Sequence, residues 1–249
     1  MDINEKLAVV TGAGSGIGRA LASRLVDAGA RFVVCTDLDG AAARETADLI
    51  GAKASGAVLD VADQAAIEDL VTRVEAAHGG IDIFVSNAGY ALGGGLGLDT
   101  DQWRKMMEVH LWAHLNAARA VVPGMIARGG GYLLNTASAA GLLTQLDSGP
   151  YAVSKLTGDM HLGTMFTTLG FPMNILRPSN AYGPGQALYR VIPRAVITGL
   201  TGRKLPLQGD GLAEKSFLHA YDVATAVQVV AEHGVVGEVY NCGPVATTS

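Results

Sequence analysis

The residues of this chain best spaced for chemistry are a phenol and an amine. Tyr151-Ala152-Val153-Ser154-Lys155 sets them four residues apart in a helical pattern, and positions four apart on a helix project from one face. A free phenol ionises near pH ~10 and is a poor base at neutral pH, but a neighbouring ammonium favours the phenolate. Tyr151 beside Lys155 can therefore take a proton from an alcohol and return it to a carbonyl. Ser138, just upstream, can donate a hydrogen bond to the same oxygen and stabilise charge developing there.

A second set of residues is spaced to hold a dinucleotide. An apolar run ending at Thr11 leads straight into Gly12-Ala13-Gly14-Ser15-Gly16-Ile17-Gly18, and a helical pattern begins near Ile17. Glycine lets the backbone approach a pyrophosphate, and the helix N-terminus offers free N–H groups and partial positive charge. The next strand pattern ends at Thr36-Asp37-Leu38, where an acid can accept from the adenosine ribose hydroxyls and would repel a 2′-phosphate. The nearby cations, Arg19 and Arg44, do not replace that acid, so the expected cofactor is NAD. Asp60-Val61 closes a third strand pattern, where the acid either meets the adenine amino group or caps the helix from Gln64. Asn87-Ala88-Gly89 closes a fourth and can shape the floor under the ribose. With a nicotinamide in place, Tyr151 moves the proton while a hydride passes between the substrate carbon and the ring, and Lys155 also holds the nicotinamide ribose.

Elements that could position these groups alternate along the whole chain. Strand patterns cover Leu7–Thr11, Arg31–Thr36, Gly56–Leu59, Ile81–Ser86, Gly131–Thr136, Met173–Arg177 and Glu238–Asn241. Helical patterns lie between and after them: Ile17–Ala28, Ala41–Ile50, Gln64–His78, Thr100–Arg128, Tyr151–Leu169, Leu188–Leu200 and Tyr221–His233. This alternation predicts an α/β fold, a Rossmann-type doubly wound parallel sheet of about seven strands with helices on both faces. Such sheets keep their ligands at the strand ends where the motifs lie. Gly93–Gly97 and Asn180–Gly185 are expected to be loops.

Composition narrows the partner to a small molecule. With 249 residues, 49% hydrophobic and 16% charged, one domain spanning 1–249 is expected. A net charge of −5 and no Lys/Arg run exclude an electrostatic grip on nucleic acid or an anionic membrane. Cys35 and Cys242 sit in no CxxC or His-rich setting, so no metal site is expected, and they read as ordinary buried thiols of a reducing cytoplasm. The opening MDINEKLAVVTGAG reads as neither a signal peptide nor a membrane span.

Residues 1 to about 160 resemble a short-chain dehydrogenase/reductase of the single-domain branch, carried by Thr11 to Gly18, Asn87-Ala88-Gly89, Ser138 and Tyr151-x-x-x-Lys155 in that order. The resemblance implies hydride transfer through Ser138, Tyr151 and Lys155, with a homodimer or higher homo-oligomer formed by the helices from Thr100 and Tyr151. It departs at one place: the family's long helix commonly carries an Asn supporting a water that links the Lys to solvent, and here His110 stands there. An imidazole either holds that water or merely packs.

Beyond Lys155 the resemblance changes branch. Ile175-Leu176-Arg177-Pro178-Ser179-Asn180-Ala181-Tyr182-Gly183-Pro184-Gly185-Gln186 is similar to the extended nucleotide-sugar epimerase/dehydratase group. Ile192-Pro193, Gly209-Asp210-Gly211, Phe217 to Ala224 and Gly237 to Gly243 follow in that group's order. The expectation is a natural or engineered hybrid joined near Tyr151, with 1–155 the cofactor-binding and catalytic half and 156–249 completing the sheet and the substrate side. Pro178 and Asn180 then face the cofactor, Asn180 alternatively a substrate phosphate or its own loop. Lys215 stands where the extended group usually offers a diphosphate-binding Arg. Asp222 is expected to cap the last long helix, and His219 to pack or lie at the surface. The chief expectation is an alcohol/ketone oxidoreductase. A nucleotide-sugar epimerase or dehydratase, and a hybrid that binds NAD(H) with little turnover, are the alternatives.

Overall fold

The computed structural model describes residues 1–138, 141, 149–170, 172–207 and 214–244, with only the backbone described at 96 and 169. The first apolar run forms β1 (Leu7–Thr11), buried along its whole length. It pairs in parallel with β2 (Phe32–Asp37) on one side and β4 (Ile83–Ser86) on the other. β3 (Ala54–Val58) adds to β2 and β5 (Tyr132–Asn135) to β4, giving the order β3-β2-β1-β4-β5. Continuous apolar runs are what a sheet covered on both faces requires, and successive residues serve opposite cores. Leu7, Val9, Val34 and Phe84 pack with α3 (Gln64–His78) and with Ala117 and Val121 of α5 (Ala113–Ala127). Ala8, Val10, Val33, Cys35 and Val85 pack instead with Leu21, Ala22 and Leu25 of α1 (Gly16–Asp27) and Ala224 of α8 (Ala220–His233). The strand order reverses between β1 and β4, so a crevice opens at their C-terminal ends.

The α/β Rossmann-type fold is as expected, but the sheet is divided. All seven predicted strands form, yet among the described residues the main sheet stops at five. β6 (Ile175–Pro178) pairs with β9 (Val239–Cys242) apart from it. Asn180–Tyr182, expected as loop, is a short strand, β7, paired with β8 (Phe217–His219). An apolar run marks a strand but not its neighbour, because pairing is decided by how intervening helices seat. Here that helix is α6 (Gly149–Leu169).

Helix ends show further corrections. α2 (Gly40–Ile50) and α3 are capped by Asp39 and Asp63, whose carboxylates each accept two backbone N–H groups. Asp60 is therefore not the cap of α3, since the helix begins at Gln64 and Asp63 precedes it. Asp60 accepts from Ala62 N at 2.9 Å in the turn before. α8 is capped by His219, whose Nδ1 accepts from Tyr221 N at 3.2 Å, while Asp222 lies inside its first turn. The helix predicted over Thr100–Arg128 is interrupted. α4 (Thr100–Met107), capped by Asp99, runs into a π-helical turn at Glu108–Trp112 before α5 begins. Such wide turns tend to mark functional positions, and this one carries His110. α7 (Val191–Leu200) buries none of its residues.

Candidate active site

The crevice is closed at its base by hydrogen bonds between the ends of β1 and β4. Thr11 Oγ1 donates to Val85 O at 3.2 Å and accepts from the N–H groups of Asn87 at 2.9 Å and Ala88 at 3.1 Å. Asn87 Nδ2 returns a bond to Thr11 O at 3.1 Å, and Asn87 Oδ1 accepts from Thr136 Oγ1 at 3.0 Å. Thr136 belongs to the end of β5, and its carbonyl accepts from Lys155 Nζ at 2.7 Å. One connected network thus runs from the first strand, through Asn87, to the lysine of α6.

On the cofactor side the glycines are required by close approach. Gly12 has φ +65, and a Cβ there would lie 2.7 Å from Ala88 Cα. A Cβ on Gly18 would lie 2.0 Å from Gly12 O, so α1 starts pressed against the turn. Gly16, with φ +52, has nothing within 4 Å of its Cβ direction, so the turn presents an open backbone surface there. Ser15, the residue before α1, makes no side-chain cap bond, whereas α2, α3 and α4 each carry an Asp cap. An uncapped helix N-terminus behind an open glycine turn fits a pyrophosphate. Asp37 accepts from Gly14 N at 2.9 Å through Oδ2 and from Asp39 N at 3.1 Å through Oδ1, and each oxygen keeps a lone pair for a ribose hydroxyl. Arg19 lies at the same turn, its guanidinium bonded to Gly14 O, Thr46 and Glu45.

Around the lysine the environment is dry. Lys155 is 4% exposed, and burial pulls its pKa down to about 8 while the charge of Asp159 acts upward. Its Nζ lies 5.9 Å from the Tyr151 ring centroid, and the His110 ring meets the Tyr151 ring edge-on at 5.1 Å. His110 is 1% exposed, and Nε2 lies 2.7 Å from Tyr90 O. Tyr90 N lies 3.3 Å from the same nitrogen; with Nε2–H donating to Tyr90 O, the shorter contact, Nδ1 is an acceptor, and among the described residues it has no partner. Burial first, and the Lys155 charge second, push its pKa down to about 4, so it is neutral at physiological pH. Gly89 makes room for it, since a Cβ there would lie 2.5 Å from His110 Cε1. His114 lies in the same region, Nδ1 2.7 Å from Ser86 Oγ and Nε2 unpartnered, its pKa pushed down to about 3 by burial and Lys155.

Most of the expected site residues therefore converge on one crevice: Gly12, Ser15, Gly16, Ile17 and Gly18 at its first turn, Asp37 at the end of β2, Asn87, Ala88 and Gly89 at the end of β4, and His110, Tyr151 and Lys155 at its far side. Ser138 follows β5, and its carbonyl accepts from Gly141 N at 3.1 Å. A Cβ on Gly141 would lie 2.7 Å from Leu156 N, so Gly141 rests on α6 beside Lys155. Leu38 is exposed and Val61 buried. Pro178 ends β6, and the Asn180 side chain is engaged by Ser216 O at 3.1 Å, within the β7–β8 pair. Gly209-Asp210-Gly211 lies outside the described residues. Sequence reasoning gave no role to Thr11, Thr136 or His114. The position of Thr11 and Thr136 at the ends of the two parallel strands that flank β4 was the available signal.

Comparison with known proteins matches residues 6–169 to the short chain dehydrogenase family and residues 138–243 to the NAD dependent epimerase/dehydratase family. The two matches overlap on the helix carrying Tyr151 and Lys155. A 1-deoxy-11-beta-hydroxypentalenate dehydrogenase from Streptomyces avermitilis is 38% identical over 162 residues, covering 62% of this chain and 60% of that protein. The chain thus spans less than two thirds of that relative. The 3-oxoacyl-[acyl-carrier-protein] reductase FabG of Salmonella typhimurium is 32% identical over 182 residues, covering 72% of this chain and 74% of that protein. Among solved structures, a gluconate 5-dehydrogenase from Burkholderia cenocepacia in complex with NADP and tartrate superposes with a TM-score of 0.76 at 28% identity, covering 96% of this chain and 93% of that one. With a family match over well more than half of its residues, the chain belongs to the short-chain dehydrogenase family.

Proposed function

We propose that this protein is an NAD(H)-dependent oxidoreductase that interconverts an alcohol and a ketone, with Ser138, Tyr151 and Lys155 as its catalytic set. The observation that carries this reading is the buried Lys155, bonded to the Thr136 carbonyl at 2.7 Å and set beside the Tyr151 ring at the mouth of the crevice. The nicotinamide ring, when bound, supplies or accepts the hydride. Gly12 to Gly18 and the start of α1 hold the pyrophosphate, Asp37 accepts from the adenosine ribose, and Lys155 holds the nicotinamide ribose. The ammonium of Lys155 favours negative charge on the Tyr151 oxygen, which takes the alcohol proton in oxidation and returns it in reduction. Ser138 donates to the same substrate oxygen. His110, neutral and with a lone pair free on Nδ1, supports a water toward Lys155 in place of the family's usual Asn.

NAD is favoured over NADP by the Asp37 carboxylate at the ribose position, and Arg19 is already bonded to Gly14 O and Glu45. The family match to residues 138–243 supports a hybrid joined near Tyr151, and keeps a nucleotide-sugar epimerase or dehydratase as the second reading. Pairing of two copies is supported by apolar surface on the helices expected to pair, with Trp112 at 50% exposure and Val153 and Met160 also exposed. Light scattering tests that. The activity is tested with a panel of alcohols and ketones and both cofactors. Turnover with NAD(H) is expected, whereas bound cofactor with no rate on any substrate sinks the dehydrogenase reading. Turnover of UDP- or dTDP-sugars alone would establish the second.

A further inference from the structure

α6 carries an acid one turn beyond the lysine. Asp159 is 7% exposed and four residues from Lys155, so the two share a helix face. Its Oδ2 lies 3.4 Å from an Arg177 guanidinium nitrogen, a long contact for an ion pair, and among the described residues its buried Oδ1 has no partner. Arg177 Nε is buried without a partner as well. A carboxylate and a guanidinium this enclosed ordinarily close into two short parallel bonds. The pair is half made.

The other cation on that helix face is Lys155, one turn back, whose Nζ bonds to Thr136 O and feels the Asp159 charge without an ion-pair contact. The groups bearing on Lys155 are the Thr136 carbonyl from β5, Tyr151 on α6 itself, His110 from the π-helical turn and His114 from α5. Both imidazoles are neutral near pH 7. Among the described residues, Asp159 is thus the group whose negative charge bears on Lys155. Arg177 reaches the same carboxylate from β6, in register with Asn241 of β9, so the C-terminal half delivers it. We propose that Asp159 is a positioning residue whose carboxylate is divided between Lys155 and Arg177, so that the seating of β6 governs how much negative charge remains to hold the Lys155 ammonium. The inference rests on the reading of Lys155 as the lysine of the catalytic set. It supplies a physical link across the junction of the two family matches.

Two substitutions then act in opposite directions. Asp159→Asn removes the negative charge and lowers the proton affinity of Lys155. Arg177→Gln removes the competing cation and raises it, and Arg177→Lys restores the parent value. The titration is read by NMR on protein labelled at the lysine side-chain carbons, without substrate, alongside the pH profile of kcat. Shifts of about tenfold in proton affinity, opposite in sign, are expected, with the kcat profile moving in step. Both variants moving the same way, or neither moving, overturns the proposal, because a purely structural ion pair has no sign. If Asp159→Asn does not fold, the two Arg177 variants carry the test alone, and an unmoved titration in Arg177→Gln overturns it. A Lys155 titration that shifts while kcat does not follow removes the positioning role. Loss of turnover in the parent protein instead counts against the proposed function.

Discussion

The Lys155 ammonium and the Thr136 carbonyl meet at 2.7 Å, and that bond fastens the helix bearing Tyr151 and Lys155 to the end of β5. Thr136 in turn holds Asn87, and Asn87 holds Thr11, so the groups proposed to handle the proton are referenced to the same strand that opens the glycine turn. Hydride transfer tolerates little error in geometry. A network of four residues spanning three strands and a helix supplies the needed rigidity.

Replacing Tyr151 by Phe removes the proton donor and acceptor but leaves the ring against His110. Turnover should fall by about a thousandfold, within the range general acid–base catalysis supplies, while NADH binding measured by fluorescence stays within a few fold. Unchanged turnover would refute the role assigned to Tyr151.

Thr11 is a stability determinant as much as a site residue. Thr11→Val deletes the acceptor for two backbone N–H groups, those of Asn87 and Ala88, and an unsatisfied buried donor costs about 1–3 kcal/mol. Urea denaturation should show a loss of about 2 kcal/mol or more, with Thr11→Ser retaining most of it. Equal stability of all three proteins would mean that water satisfies those donors.

Acid should destabilise the fold through its buried imidazoles. The His110 and His114 pKa values are lowered to about 4 and about 3 by burial and by Lys155. Above pH ~6.5 neither the folded nor the unfolded chain protonates them. Below it the unfolded chain binds the protons first, so stability falls as pH drops toward 4 and levels off below the folded values. His110→Asn should flatten part of that slope in melts recorded against pH. A slope unchanged in both His110→Asn and His114→Phe would show that other groups carry the acid sensitivity.

Cofactor choice should follow one carboxylate. Asp37→Ser removes the charge that opposes a 2′-phosphate, and the ratio of kcat/KM for NADPH over NADH should rise by about tenfold or more, the equivalent of about 1.4 kcal/mol. A ratio that does not move would place the discrimination elsewhere.

What sequence alone determined here is local. The glycine turn between a buried strand and a helix, the acid at the end of β2, the Asn-Ala-Gly after β4 and the Tyr-x-x-x-Lys helix were legible because each depends on a few neighbouring residues: a positive φ, a close approach, a periodicity of 3.6. β1 and α3 fall where the pattern puts them. The tertiary structure decided what depends on residues distant in sequence. Among the described residues it set the main sheet at five strands, with β6 and β9 paired apart, made β7 of a predicted loop, and gave the caps of α3 and α8 to Asp63 and His219 rather than Asp60 and Asp222. It also brought Thr11, Asn87, Thr136 and Lys155 into one network, and brought Arg177 of β6 to Asp159 of α6. A hydrogen bond across 76 residues, such as that from Asn87 N to Thr11 Oγ1, leaves no periodic trace in the chain. It exists because parallel strands bring their ends together, and pairing is settled by how whole helices pack.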